Sequence, residues 1–264
     1  MLHTTRGPHD SARSGVRVQE APPEDGLYAA LDLGTNNCRL LVAAQTAGDE
    51  GAVPKLKVYD SFSRIVRLGE GVSVTGALSE DAMERTLLAI KACQKKLEKY
   101  TIARSRFVAT EACRRATNGP AFIERVRREL GLHIEIISTE EEARLAFAGC
   151  ASLLTPDSSR AIVFDIGGGS TELMWIDIDK NKQISDWLSV GFGVMNLADK
   201  FGGTNFSDMA FGDMVSILQE RFRPFDQANR ITETIRNAPV QLLSTAGTVT
   251  HFPIGHIGID SECR

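Results

Sequence analysis

Cysteine is scarce and unpatterned in this sequence. Cys38, Cys93, Cys113, Cys150 and Cys263 are odd in number and never spaced Cys-x-x-Cys. That pattern argues against a disulfide framework or a zinc site. The five histidines show no His-Glu-x-x-His grouping. No apolar run approaches membrane-spanning length. None precedes residue 27, so no secretory signal is visible. Excess charge is missing as well: 30 basic and 34 acidic side chains leave a net charge of −4. Such a balance gives no global attraction to nucleic acid or to anionic lipid. No nucleic-acid or membrane partner is expected, and a polyanion must be caught by a local basic or amide-lined site. Together these absences fit a cytoplasmic protein. What is present is a soluble globular composition, 42% hydrophobic and 24% charged over 264 residues. It can bury one large core or two ordinary ones.

Residues 1–26 hold little to bury and read as a disordered leader. Leu27 to Asp32 reads as an apolar strand running into the turn-forming cluster Asp32-Leu-Gly-Thr-Asn-Asn37. Arg39–Ala43 returns from that turn, and Lys55–Ser63 is a third strand. Ser79 can cap a helix reaching about Tyr100, with Met83, Leu87, Ile90, Cys93 and Leu97 at helical spacing. Arg106–Ala109 is a strand, Pro120–Leu130 a helix stopped by Gly131, and Ile134–Ile137 a strand. Ser138 or Thr139 caps the next helix, whose first turn is rich in glutamate. The order then restarts: strand Ala161–Asp165, turn Gly167–Gly169, strand Thr171–Ile176, strand Ile184–Val190. A helix opens at Ser207 or Asp208 and runs to about Phe222, and Gln241–Ser244 is a further strand.

The two halves align without gaps at their turns. Asp32-Leu-Gly-Thr-Asn-Asn-Cys-Arg-Leu40 lies on Asp165-Ile-Gly-Gly-Gly-Ser-Thr-Glu-Leu173. The same strand order around both makes duplication the better reading, with the boundary near residue 145. A carboxylate at a strand's end can hold Mg²⁺, which binds through few protein oxygens. Glycines beside it let backbone N–H groups approach phosphate oxygens as an anion-binding nest. No Gly-Lys-Ser/Thr follows, so this is not a Walker motif.

Four blocks resemble the Ppx/GppA family of exopolyphosphatases and guanosine-pentaphosphate phosphohydrolases, within the sugar-kinase/Hsp70/actin superfamily. They are Ala30-Leu-Asp-Leu-Gly-Thr-Asn-Asn37, Phe107-Val-Ala-Thr-Glu-Ala-Cys-Arg-Arg-Ala116, Ile136-Ile-Ser-Thr-Glu-Glu-Glu-Ala-Arg-Leu145 and Val163-Phe-Asp-Ile-Gly-Gly-Gly-Ser-Thr-Glu-Leu173. The resemblance covers residues 27 to about 250. It implies an α/β fold of two ribonuclease-H-like, actin-like ATPase lobes, each a mixed sheet flanked by helices, spanning 27–145 and 146–264. It also implies Mg²⁺-assisted (or Mn²⁺-assisted) hydrolysis of inorganic polyphosphate or of the guanosine alarmone pppGpp.

By that resemblance Glu142 serves the attacking water and Arg114 touches phosphate. Asp165 and Glu172 are metal-site carboxylates. Asp32, Gly34, Thr35, Asn36, Gly167, Gly168, Gly169 and Ser170 bind the phosphate chain, with Gly247 and Thr248 supporting it. Each role has a plainer rival. Glu142 is also a capping-box glutamate if Thr139 is the cap. Arg114 and Arg115 also fit a solvated helix start, and alternation can turn Glu172 outward. Cys38 and Cys113 are better read as buried small residues than as nucleophiles. Two further functions stay open: an inactive remnant that binds phosphate chains or an alarmone, and an actin-like ATPase or sugar kinase.

Past Thr250 the sequence has no helical period, and the family pattern continues further than this chain does. The second lobe is therefore expected to be short of helices. Val163, Phe164, Leu173, Trp175 and Leu243 would then form an exposed apolar patch, relieved by a homodimer, aggregation or disorder.

Overall fold

The computed structural model describes residues 26–46, 55–201 and 207–245. The expected leader, up to residue 25, and the tail from residue 246 lie outside them. The first sheet contains β1 (Leu27–Leu33), β2 (Asn37–Thr46), β3 (Lys55–Ile65), β4 (Ile102–Ala109) and β5 (Glu135–Ile136), in the order β3-β2-β1-β4-β5. β2 is antiparallel to β1 and to β3, whereas β4 is parallel to β1 and to β5. Alternation along β1 sends Leu27, Ala29, Leu31 and Leu33 into the core and Tyr28, Ala30 and Asp32 to the other face. The core face is covered by α2 (Glu80–Leu97) and α4 (Gly119–Leu130).

Ser79 starts α2 by accepting a hydrogen bond from Ala82 N. Leu87, Ala89, Ile90 and Cys93 then bury one stripe of the helix. Ile90 is fully buried, so cutting it to Ala should cost about 2–5 kcal/mol. Gly131 ends α4 with φ 66°, a left-handed cap that glycine adopts without strain. Two short helices also form, α1 (Val72–Thr75) and α3 (Glu111–Arg115), the second containing the Arg114-Arg115 pair that also fits a helix start. Each is under two turns, too short to show a period in sequence.

α5 (Thr139–Cys150) leads to the second sheet. There β6 (Arg160–Ile166), β7 (Thr171–Asp177), β8 (Gln183–Val190) and β9 (Val240–Ser244) pair in the order β8-β7-β6-β9. Directions repeat those of the first sheet: β7 antiparallel to β6 and β8, β9 parallel to β6. α6 (Val194–Phe201), α7 (Asp208–Asn229) and α8 (Ile231–Asn237) lie between β8 and β9.

The expected apolar patch is corrected. Val163 is fully buried, in a cluster with Ala143 and Cys150 of α5 and with Ala161, Met174 and Ile176. Trp175 is buried on the opposite face against Phe225 of α7 and Ile231 of α8. Phe164, Leu173 and Leu243 are half-buried. The expectation ends α7 at Phe222, has no α8 and does not count α5 as cover for Val163. Instead α7 passes through Pro224 and continues to Asn229, despite the ladder bond that proline forfeits. Its last turns carry Phe225 to Trp175. Among the described residues no helix is long and apolar enough to cross a membrane.

Candidate active site between the paired turns

The β1–β2 and β6–β7 hairpins present two turns built alike. In each, the glycine after the first apolar residue closes the turn: Gly34 N donates to Asn37 O, and Gly167 N to Ser170 O, both at 2.9 Å. Each turn is gripped from behind through its carbonyls. Thr35 O accepts from Gly69 N, and Asn36 O from Val66 N and Arg67 N. Gly167 O and Gly168 O accept from Val194 N and Met195 N at the start of α6, and Gly169 O from the Asn196 side chain at 2.7 Å. With these carbonyls engaged, the N–H groups of Thr35, Asn36, Gly168 and Gly169 have no backbone acceptor among the described residues, the condition an anion-binding nest requires.

The turns touch. A Cβ on Gly168 would lie 3.2 Å from the Cβ atoms of Thr35 and Asn36. Gly193, which seats α6, has no room at all: a Cβ there would lie 2.4 Å from the carbonyl carbon of Gly168. Between the turns is a cavity of about 140 Å³. Asp32, Gly34, Thr35, Asn36, Glu142, Asp165, Gly167, Gly168, Gly169 and Ser170 all line it, so ten of the expected site residues converge. Gly247 and Thr248 lie outside the described residues.

Two expected residues do not line the cavity. Glu172 is 1% exposed on β7, behind its register partner Asp165. It accepts a hydrogen bond from Ser189 Oγ at 2.8 Å, so it does not turn to solvent. Arg114 stands behind two lining residues, Glu111 and Glu142. Its Nη1 donates to Ile137 O at 2.8 Å, and its Nη2 to Glu111 at 2.7 Å and Glu142 at 3.0 Å.

Burial dominates the electrostatics. It pushes the Glu142 carboxyl up to about 7; Glu172 adds to the rise, and Arg114 opposes it. The carboxyls of Asp32, Asp165 and Glu172 are also raised, in each case chiefly by burial. Asp165 lifts Asp32 further, and Arg39 favours the ionised form of both aspartates. Carboxylates gathered at one wall are relieved by a cation. Thr245 Oγ1 is buried without a partner in hydrogen-bond geometry among the described residues, on the cavity wall close enough to Asp165 to favour its charge. Among the described residues no three His, Cys, Asp or Glu side chains form a ready metal cage. The donor set therefore suits a hard ion that takes one or two carboxylates and completes its shell with water and phosphate oxygens.

Glu142 is not the cap glutamate. Ser138 is the N-cap of α5 and accepts from Glu141 N at 3.2 Å. The third helical position is thus Glu141, which pairs with Arg106. Glu142 falls one residue further round, on the cavity side. Residues missed from sequence include Arg39, Glu111 and Thr245 on the cavity wall. Arg39 was findable, because it aligns with Glu172 in the duplicated turn. A second groove of about 710 Å³ adjoins the cavity over the outer face of the first sheet, lined by Arg39, Leu41, Ser61, Arg106, Val108 and Leu145 among others.

The Ppx/GppA phosphatase family is matched across residues 42–252. The bifunctional 3-dehydroquinate synthase/phosphatase of Fusobacterium nucleatum is 35% identical over 189 residues, which are 70% of this chain and 28% of that protein. The crystal structure of the Aquifex aeolicus Ppx/GppA family member is 33% identical, with a TM-score of 0.59 over 74% of this chain and 61% of that one. An exopolyphosphatase from Cytophaga hutchinsonii, 24% identical, shares the fold with a TM-score of 0.71 over 83% of this chain and 66% of its own. This chain thus spans less than two thirds of the Aquifex protein and under a third of the Fusobacterium one.

Proposed function

The chain belongs to the Ppx/GppA phosphatase family, and from that premise we propose that it releases terminal phosphate from inorganic polyphosphate or pppGpp by attack of a water that Glu142 serves. The observation that carries this is the placement of Glu142 on the wall of one small cavity with both phosphate-type turns. Its pKa of about 7 is near the optimum for a general base at neutral pH. The free N–H groups of the turns would hold the terminal phosphoryl oxygens. Glu142 accepts a proton as the water oxygen bonds to phosphorus. The bridging P–O bond breaks, and the shortened chain leaves with its oxygen. Positioning and charge neutralisation supply most of the rate in such transfers.

Asp165 would hold Mg²⁺ or Mn²⁺, with Asp32 facing it from the other lobe and Glu172 behind. When bound, the ion neutralises charge on the phosphoryl oxygens. The decisive test is phosphate release from polyphosphate, pppGpp and ATP, with Mg²⁺ and with excess chelator. Release from either of the first two, dependent on the ion, is expected. Release from ATP alone would replace this reading with an actin-like ATPase.

A further inference from the structure

Glu111 lines the phosphate cavity yet takes no part in the chemistry proposed above. It opens α3, and its side chain is only 12% exposed. Both oxygens are aimed at arginines: Oε2 accepts from Arg114 Nη2 at 2.7 Å, and Oε1 lies 3.9 Å from Arg115 Nε. Its Cγ packs on the second lobe's turn, where a Cβ on Gly169 would come within 3.0 Å of it. Glu111 therefore touches both halves of the site.

Arg114 connects it to Glu142. The Glu142 carboxylate has Arg114 as its hydrogen-bond partner, at 3.0 Å, and no other among the described residues. Arg114 Nη1 is fixed on the Ile137 carbonyl at the entry to α5, and Nη2 is shared between the two glutamates. A guanidinium is planar, so pinning two of its nitrogens pins its plane. Glu111 makes the shorter of the two carboxylate contacts. Without it, Nη2 would keep only the longer contact to Glu142, and the pair could pivot about the Nη1 bond to Ile137.

We propose that Glu111 is a positioning residue: it fixes Arg114, and through Arg114 the carboxylate of Glu142, against the turn at Gly169. This rests on Glu142 being the group that serves water. Glu111→Gln keeps the shape and loses the charge; Glu111→Ala loses both. For each, kcat should fall on the order of tenfold or more while KM stays within about twofold, since a misplaced base affects the chemical step. In an Arg114→Ala background, Glu111→Ala should cause no further loss, because its effect runs through that arginine. Equal losses in both backgrounds would overturn the proposal.

A second measurement needs no turnover. In ¹⁵N NMR of the full chain, rotation of the Arg114 guanidinium should be hindered in the parent protein and faster in Glu111→Gln. An unchanged Arg114 signal would refute the positioning role. If the parent protein released no phosphate from any chain while the Arg114 signal responded as expected, the functional reading would fail and the link from Glu111 to Arg114 would stand.

Discussion

The two hairpins are the same device set in different surroundings. Both begin with an aspartate at a strand end, close on a glycine and have their carbonyls held from behind. They differ first at the tips. Thr35 and Asn36 occupy the first turn, and Gly168 and Gly169 the matching places in the second. Because the tips touch, side chains fit on one of them only. They differ again seven residues after each aspartate, where Arg39 is exposed and Glu172 is buried. Both side chains lie on the face of their sheet that carries the aspartate. In the second lobe that face is covered by α5, through Ala143, Ala146, Phe147 and Cys150. In the first it opens onto the 710 Å³ groove. Equivalent positions thus acquire opposite environments because one helix crosses one sheet.

The largest expected effect tests whether the site is one unit spanning both lobes. Glu142→Gln should lower phosphate release on the order of a hundredfold or more, the loss expected for a general base, while leaving phosphate-chain binding nearly unchanged and the melting temperature no lower than that of the parent protein. Glu142 is not the cap of α5, so the substitution removes no capping hydrogen bond. Turnover equal to that of the parent protein would separate the two turns from any shared chemistry.

Next in size is a pH effect that belongs to the covered face. The Glu142 carboxyl in the folded protein is raised from 4.5 to about 7. Between those values the folded state binds more protons than the unfolded one. In chelator, stability should therefore be greatest below about 4.5 from this group and fall as pH rises through about 7, by up to about 3 kcal/mol. The raised carboxyls of Asp32, Asp165 and Glu172 act in the same direction. Glu142→Gln should flatten part of that slope. Added Mg²⁺ should oppose it in the parent protein and not in Asp165→Ala. Melting curves across this pH range, with and without the ion, read both outcomes.

Much of this architecture was legible because periodicity and turn residues are local. Asp32–Asn37 and Asp165–Ser170 announced their turns, and Ser79 and Gly131 their helix ends. What escaped was set by distant contacts or by a single residue of register. Ser138 and Thr139 are equally good caps in sequence, and choosing the first moves Glu142 from the cap to the cavity. The helix read as ending near Phe222 continues through Pro224, and there Phe225 meets Trp175. The partners of Arg114 were not legible either: Glu111 and Glu142 pair with its guanidinium, the second across 28 residues of sequence. The burial of Glu172 depends on α5, which no reading of β7 alone contains.

A smaller effect addresses the tips. Gly168→Ala should push against Thr35 and Asn36 and destabilise the protein by about 1–3 kcal/mol, the usual range for overpacking. Thr35→Gly should relieve part of that in the double variant. Additive losses in urea unfolding would show that the turns do not meet as described.

The smallest effect is expected at Arg39, and it bears most directly on the difference between the lobes. Its side chain is exposed and makes no ion pair among the described residues. Its influence is a field on Asp32 and Asp165, not a packing contact. Arg39→Gln should thus change stability by no more than about 0.5 kcal/mol, as exposed substitutions usually do. The matching change on the covered face, Glu172→Gln, removes a carboxylate whose charge is disfavoured by burial. It should stabilise the protein above neutral pH in chelator, where that charge would otherwise be forced to form. A near-zero change at one position and a pH-dependent gain at the other would follow directly from one sheet face being open and the other closed. If Arg39→Gln instead cost as much as a core truncation, something would have to cover the first sheet's outer face, and the contrast between the lobes would disappear.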